Sequence, residues 1–172
     1  MRVQGYLLDT NIVAYWFDEG CPEHEKVVES INRLPDRAPL RISAVTLGEI
    51  EYGHRAVSPD DTPIQVRFKQ FLAERFPDAL PVRRSTTIYY GAWRARLFEK
   101  LAPREKKTKL TRPEQLVDPI TSREFVIQEN DLWIAAQAME HNLVLVTHDD
   151  MKSLRQVMDG ALRVEFEDWA GQ

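Results

Sequence analysis

An α/β fold, with a mostly parallel sheet covered on both faces by helices, follows from two features of the sequence. Short apolar runs at residues 3–8 and 143–146 end abruptly in polar residues, Asp9-Thr10-Asn11 and Thr147-His148-Asp149-Asp150. This is the pattern of buried strands whose C-terminal ends carry chemistry. Between such runs lie segments with apolar residues at helical spacing, and strands alternating with helices imply a parallel sheet. A chain of 172 residues, 43% hydrophobic, is long enough for one compact domain with a real core, whereas half of it would be small for independent stability. A single domain over 1–172 is expected.

Residues 3–8 form the first expected strand and 12–17 a short buried helix. Gly20-Cys21-Pro22 breaks the pattern, and Pro22 suits the first turn of a helix over 23–34. After a loop at 35–39, residues 40–44 read as a second, weaker strand, because Arg41 and Ser43 alternate with Leu40 and Ile42. Residues 46–56 look helical. Residues 59–63 open another helix through Phe76, with Ile64, Phe68, Phe71 and Leu72 on one stripe. Residues 79–82 are a candidate third strand, followed by a helix over 85–101. Residues 103–127 contain three prolines and much charge without periodicity, and read as a loop insertion; loops of this length are usually functional or mobile. A strongly patterned helix (130–140), the strand 143–146, a helix (151–158) and a last strand (162–164) complete the chain.

The composition excludes several classes. A formal charge of −4 does not announce a nucleic-acid binder, although net charge hides local patches. One cysteine, Cys21, rules out an internal disulfide and fits a reducing cytosol. No apolar run approaches the roughly 20 residues of a membrane span, and the N-terminal run, interrupted by Asp9, lacks the features of a secretion signal. The expected setting is cytoplasmic. The four histidines have no metal-ligand spacing.

Four acidic residues are placed to meet. Asp9 and Asp149 follow strands directly, although periodicity alone does not choose between Asp149 and Asp150, and Asp9 is equally suited to cap the following helix. Asp131 shares a stripe with Ile134, Ala135 and Ala138 and so points inward, although an acid in the first turn also suits the helix N-terminus without any further role. Glu49 lies on a largely apolar face with Val45, Tyr52, Gly53 and Ala56, but Thr46-Leu47-Gly48-Glu49 also matches a capping box, in which Glu49 would reach back to the amide of Thr46. Carboxylates gathered without partners would cost several kcal/mol each. A hard divalent cation, Mg²⁺ or Mn²⁺, resolves that repulsion with oxygen ligands.

The stretches Leu7-Leu8-Asp9-Thr10-Asn11, Ile42-Ser43-Ala44-Val45-Thr46-Leu47-Gly48-Glu49-Ile50-Glu51-Tyr52-Gly53, Asn130-Asp131-Leu132-Trp133-Ile134-Ala135-Ala136 and Leu145-Val146-Thr147-His148-Asp149 resemble the four signature blocks of PIN-domain proteins. Among these the chain most resembles the VapC-type toxins of toxin–antitoxin pairs. The resemblance implies a three-layer α/β/α sandwich and a metal-dependent endoribonuclease that leaves a 5′-phosphate and a 3′-hydroxyl. It carries over Asp9, Glu49, Asp131 and Asp149 as the quartet around Mg²⁺ or Mn²⁺, with Asn11 and Thr147 in support. It further implies an RNA substrate, a cognate antitoxin protein that fills the groove, and a homodimer. Two departures stand out: the extra length at 103–127, and the turn after Asp149, which lacks the family's common aromatic residue.

Between residues 94 and 112 the chain holds Arg94, Arg96, Lys100, Arg104, Lys106, Lys107, Lys109 and Arg112 against two glutamates. A basic strip beside an acidic groove suits a phosphate backbone; a solvated loop with incidental charge accounts for it equally well. Two other functions are compatible with parts of the pattern. A phosphatase of the haloacid-dehalogenase type also places its nucleophilic aspartate after a first strand, but wants a second acid two residues later, where this chain has Asn11. An inactive PIN scaffold binding RNA or protein is the other.

Overall fold

The computed structural model describes residues 4–36, 38–101 and 128–171. The insertion at 103–127, and with it Arg104, Lys106, Lys107, Lys109 and Arg112, lies outside the described residues. The element order is β1 (Tyr6–Leu8), α1 (Thr10–Phe17), α2 (His24–Asn32), β2 (Leu40–Ile42), α3 (Ala44–Val57), α4 (Pro63–Arg75), α5 (Thr86–Leu101), α6 (Glu129–His141), β3 (Val144–Val146), α7 (Lys152–Val157) and β4 (Glu165–Glu167). The four strands form one sheet in the order β2-β1-β3-β4, and every pairing is parallel. No helix among the described residues is long and apolar enough to cross a membrane.

Alternation along the strands divides the core into two layers, because successive side chains of a strand point to opposite faces. Leu7 and Leu145 pack with Trp93 and Leu97 of α5, Leu132 and Ile134 of α6, and Leu154 and Val157 of α7. Leu8, Ile42, Val144 and Val146 face the other way, toward Ile12 and Val13 of α1, Val27 of α2, Ile50 of α3, and Phe68 and Leu72 of α4. The result is the expected three-layer α/β/α sandwich. Leu7, Leu8, Leu145 and Val146 are all fully buried, as a parallel sheet with both faces covered requires.

Three local expectations are corrected. Residues 79–82 make a single bridge, Leu80 to Ser43, instead of a strand. Leu80 uses both backbone groups, donating to Ile42 O and accepting from Ala44 N, but the partner chain enters α3 at Ala44, so no extended backbone remains for residues 81–82 to pair with. The last strand is Glu165–Glu167, three residues later than the apolar pair suggests. Leu162 is held in a turn by Asp159, whose side chain accepts from the amides of Ala161 and Leu162, both at 2.9 Å. Leu162 and Val164 are buried all the same, so burial there marks packing and not pairing.

The capping box at Thr46 does not form. Helix α3 starts at Ala44 with Ser43 as its N-cap, and Val45 N donates to Ser43 Oγ at 2.9 Å. The turn from β2 into α3 is immediate, so Thr46 already lies inside the first turn. A capping box does occur one helix later, where the Thr62 and Gln65 side chains satisfy each other's backbone amides at the start of α4.

Candidate metal centre

Asp9 sits between β1 and α1 and is 5% exposed. Its amide donates to Val146 O, which ties it to β3. Its carboxylate serves both ends of its neighbourhood: Oδ1 caps α1 by accepting from Thr10 N at 2.8 Å, and Oδ2 accepts from Thr147 Oγ1 at 2.7 Å. Capping and a place in the site are therefore one arrangement, not alternatives.

Freed from Thr46, Glu49 turns toward the same edge. Its Oε2 accepts from Thr10 Oγ1 and its Oε1 from Asn130 Nδ2 at 2.8 Å. Asp131 begins the second half of the first turn of α6, on the stripe that carries the buried Ile134, Ala135 and Ala138. Asp149 follows β3; its carboxylate accepts from Asn11 Nδ2 at 3.2 Å and its amide donates to Thr147 Oγ1 at 3.1 Å. Asp150 points elsewhere, pairing with Lys152 at 2.9 Å. The geometry thus separates the two adjacent aspartates.

Burial first, and then the charges of Asp9, Asp149 and Glu49, push the Asp131 carboxyl up to about 7. Burial also raises Asp9, opposed by the hydrogen bonds from Thr147 and Thr10 and reinforced by Glu49 and Asp149. The four acids of the sequence reading are thus in one another's electrostatic field, although they come from four separated segments. None of them forms an ion pair among the described residues.

The donor chemistry suits a hard divalent cation, since several carboxylates with excess negative charge lack a cationic partner. The carboxylates do not form a closed cage: among the described residues no three His, Cys, Asp or Glu side chains converge tightly enough to hold an ion as they stand. Both oxygens of Glu49 are engaged, by Thr10 and Asn130.

Thr10 and Asn130, to which the sequence assigned no part among the acids, are the residues that hold Glu49. Both occupy first helical turns beside an acid, and that adjacency was the available signal. The basic strip divides. Arg94 donates to Tyr90 Oη at 2.7 Å and to Glu129 at 3.4 Å, near the start of α6. Arg96, on another side of α5, pairs with Glu99 and Asp159. Lys100 is exposed in the last turn of α5.

Comparison with known proteins supplies the family. The model of the PIN domain matches residues 6–157. The chain is a PIN-domain protein. The phosphatase expectation is thereby set aside. The domain is 27% identical over 164 residues to Ribonuclease VapC1 of Haemophilus influenzae (strain R2866), covering 95% of this chain and 97% of the relative. It superposes on VapBC-1 from nontypeable Haemophilus influenzae with a TM-score of 0.64 at 26% identity, over 95% of this chain and 97% of that one. A further likeness, in fold alone, is to VapBC-5 from Mycobacterium tuberculosis, a member of the VapBC family of toxin-antitoxin systems. It has a TM-score of 0.52 at 23% identity, over 96% of this chain and 97% of that one.

Proposed function

We propose that this PIN domain is a VapC-type endoribonuclease, the toxin of a toxin–antitoxin pair, dependent on Mg²⁺ or Mn²⁺ and acting in the cytoplasm. The observation that carries the reading is the set of four carboxylates at the carboxyl edge of β1 and β3 with no cationic partner among the described residues. Its VapC1 relative and VapBC-1 structural neighbour support the ribonuclease and antitoxin parts of the reading.

Asp9, Glu49, Asp131 and Asp149 would hold the metal. When bound, Mg²⁺ or Mn²⁺ would offset the charge of the RNA phosphate and ease the loss of a proton from the water that attacks it. The chain's own part is orientation. Thr147 and the amide of Thr10 fix both oxygens of Asp9, Asn11 fixes Asp149, and Thr10 with Asn130 fixes Glu49. Asp131, raised by burial and by its neighbours, is the carboxyl that holds a proton near neutral pH when the site carries no cation. Hydrolysis leaves a 5′-phosphate and a 3′-hydroxyl. A cognate antitoxin would silence the site by covering the groove, and a homodimer is the expected assembly.

The test compares wild type with Asp9→Asn on mixed RNA, with Mn²⁺, with Mg²⁺ and with EDTA. Cleavage by the wild type that EDTA abolishes is expected. The variant should lose more than ~100-fold, since even the partners of metal ligands cost about 10–100-fold when removed. Equal cleavage by both proteins, or cleavage that survives EDTA, would reject the mechanism.

A further inference from the structure

Beyond the four acids, the most complete polar construction at this edge of the sheet comes from the last residues of the chain. After β4, Asp168 folds its carboxylate back onto its own backbone, and Oδ1 accepts from Ala170 N and Gly171 N, both at 2.9 Å. The turn is clamped in place. Trp169 is 4% exposed and packs against Tyr6 with ring centroids 5.4 Å apart. Its Nε1 donates to Glu167 at 2.7 Å, and Lys26 Nζ donates to Ala170 O at 3.2 Å. Gly171 leaves the space the carboxylate occupies, because a Cβ there would lie 2.2 Å from Asp168 Oδ2.

So fixed, the carboxylate faces His148, whose Nδ1 lies 3.1 and 3.2 Å from its two oxygens. An ionised carboxylate only accepts, so Nδ1 carries the proton of this bond. Tyr15 meets the imidazole edge-on, with centroids 5.9 Å apart and an interplanar angle of 74°. The ring is held from two sides.

The backbone of the same residue continues the path. His148 N donates to Asn11 Oδ1 at 3.2 Å, which decides the direction of the Asn11 amide. Asn11 Nδ2 is then left to donate to Asp149 Oδ2 at 3.2 Å and to Thr147 Oγ1 at 3.4 Å. Thr147 Oγ1 in turn donates to Asp9. An unbroken chain of bonds runs from the C-terminal turn to two acids that follow different strands, Asp9 after β1 and Asp149 after β3.

We infer that Asp168 is a positioning residue of this site, acting through His148 and Asn11 to set where Asp149 and Asp9 stand. Its effect on RNA cleavage rests on the nuclease reading; its effect on the geometry does not. Outer partners that orient metal ligands typically change affinity or activity by about 10–100-fold.

The experiment uses the full chain with Asp168→Ala, Asp168→Asn and Gly171→Ala, the last displacing the carboxylate without removing its charge. Four quantities are measured: Mn²⁺ affinity by calorimetry, kcat and KM on RNA, the NMR signals of the His148 Nδ1–H and the Asn11 side-chain amide, and Tm. Asp168→Ala and Gly171→Ala should weaken Mn²⁺ binding and lower kcat by about 10–100-fold, with KM little changed and both NMR signals shifted. Asp168→Asn, which keeps an acceptor oxygen, should recover most of the loss. Mn²⁺ affinity within twofold of wild type together with unmoved NMR signals in Asp168→Ala would overturn the inference. So would losses that follow Tm alone and that asparagine does not rescue. Should the wild type cut no RNA, the nuclease reading fails separately, and the NMR signals still decide the positioning role.

Discussion

Asn130 on α6 donates through Nδ2 to Glu49 Oε1 on α3 at 2.8 Å, 81 residues apart in the chain. The bond joins the two helices that approach the site from opposite sides of the sheet, and it engages one oxygen of a carboxylate whose other oxygen is held by Thr10. Removing the amide releases Glu49 within a field of three other acids.

Asn130→Ala should therefore lower RNA cleavage by about 10–100-fold while costing stability only about 1 kcal/mol, the net worth of a typical hydrogen bond. Cleavage rates and denaturant midpoints on the same protein check this. A loss of activity fully explained by unfolding would show the contact to be structural only.

The metal-free protein should be more stable in mild acid. Asp131 is raised to about 7 in the folded state from the ordinary aspartate value of 3.8, so between those values the folded state binds a proton that the unfolded state has lost. Stability then falls as pH rises through that window, and above pH 7 the penalty is fully present. Melting in EDTA should show Tm rising from pH 7.5 to pH 5.5. Asp131→Asn should flatten the slope and raise Tm at pH 8. A Tm that falls on acidification over this window, with no difference in the variant, would contradict the crowding of the acids.

Gly5→Ala should destabilise the fold without touching the site. Gly5 has φ +147° and a Cβ there would lie 2.5 Å from Pro39 O, just ahead of the β1–β2 pairing. A strained backbone of this kind costs on the order of 1–3 kcal/mol, and the backbone carbonyl in the way cannot rotate aside. Denaturant titration measures the loss, and activity per folded molecule should stay unchanged.

Charge neutralisation should separate the basic residues into two groups. Arg94 and Arg96 already pair with Glu129, Glu99 and Asp159, so replacing either with Gln should leave the salt dependence of RNA binding nearly unchanged. Replacing Lys106, Lys107 and Lys109 together should weaken binding at low salt and reduce the slope of log K against log salt by about 0.7 per lost phosphate contact on single strands. An unchanged slope in the triple variant would remove the strip from the RNA interface.

The sequence was most legible where one physical cause dominated. The buried strands 6–8 and 144–146 read as apolar runs because both faces of a parallel sheet are covered, and the inward aim of Asp131 followed from helical spacing alone. Edge structure was less legible: Glu165–Glu167 carries few apolar residues because an edge strand faces solvent, and the apolar Leu162 and Val164 before it are buried by a turn. The role of Glu49 was undetermined locally because Ser43 and Thr46 are both good caps, and only the abrupt exit from β2 chose between them.

By itself, then, the sequence determined the layered α/β architecture and the places of Asp9 and Asp131 at a strand end and a helix start, since these depend on local apolar patterning. Tertiary structure alone decided which hydrogen bonds orient those acids. The links from Thr10 and Asn130 to Glu49, and from the C-terminal turn through His148 and Asn11 to Asp149, join residues far apart in sequence. Their existence depends on where the parallel strands place their ends, which no local pattern specifies.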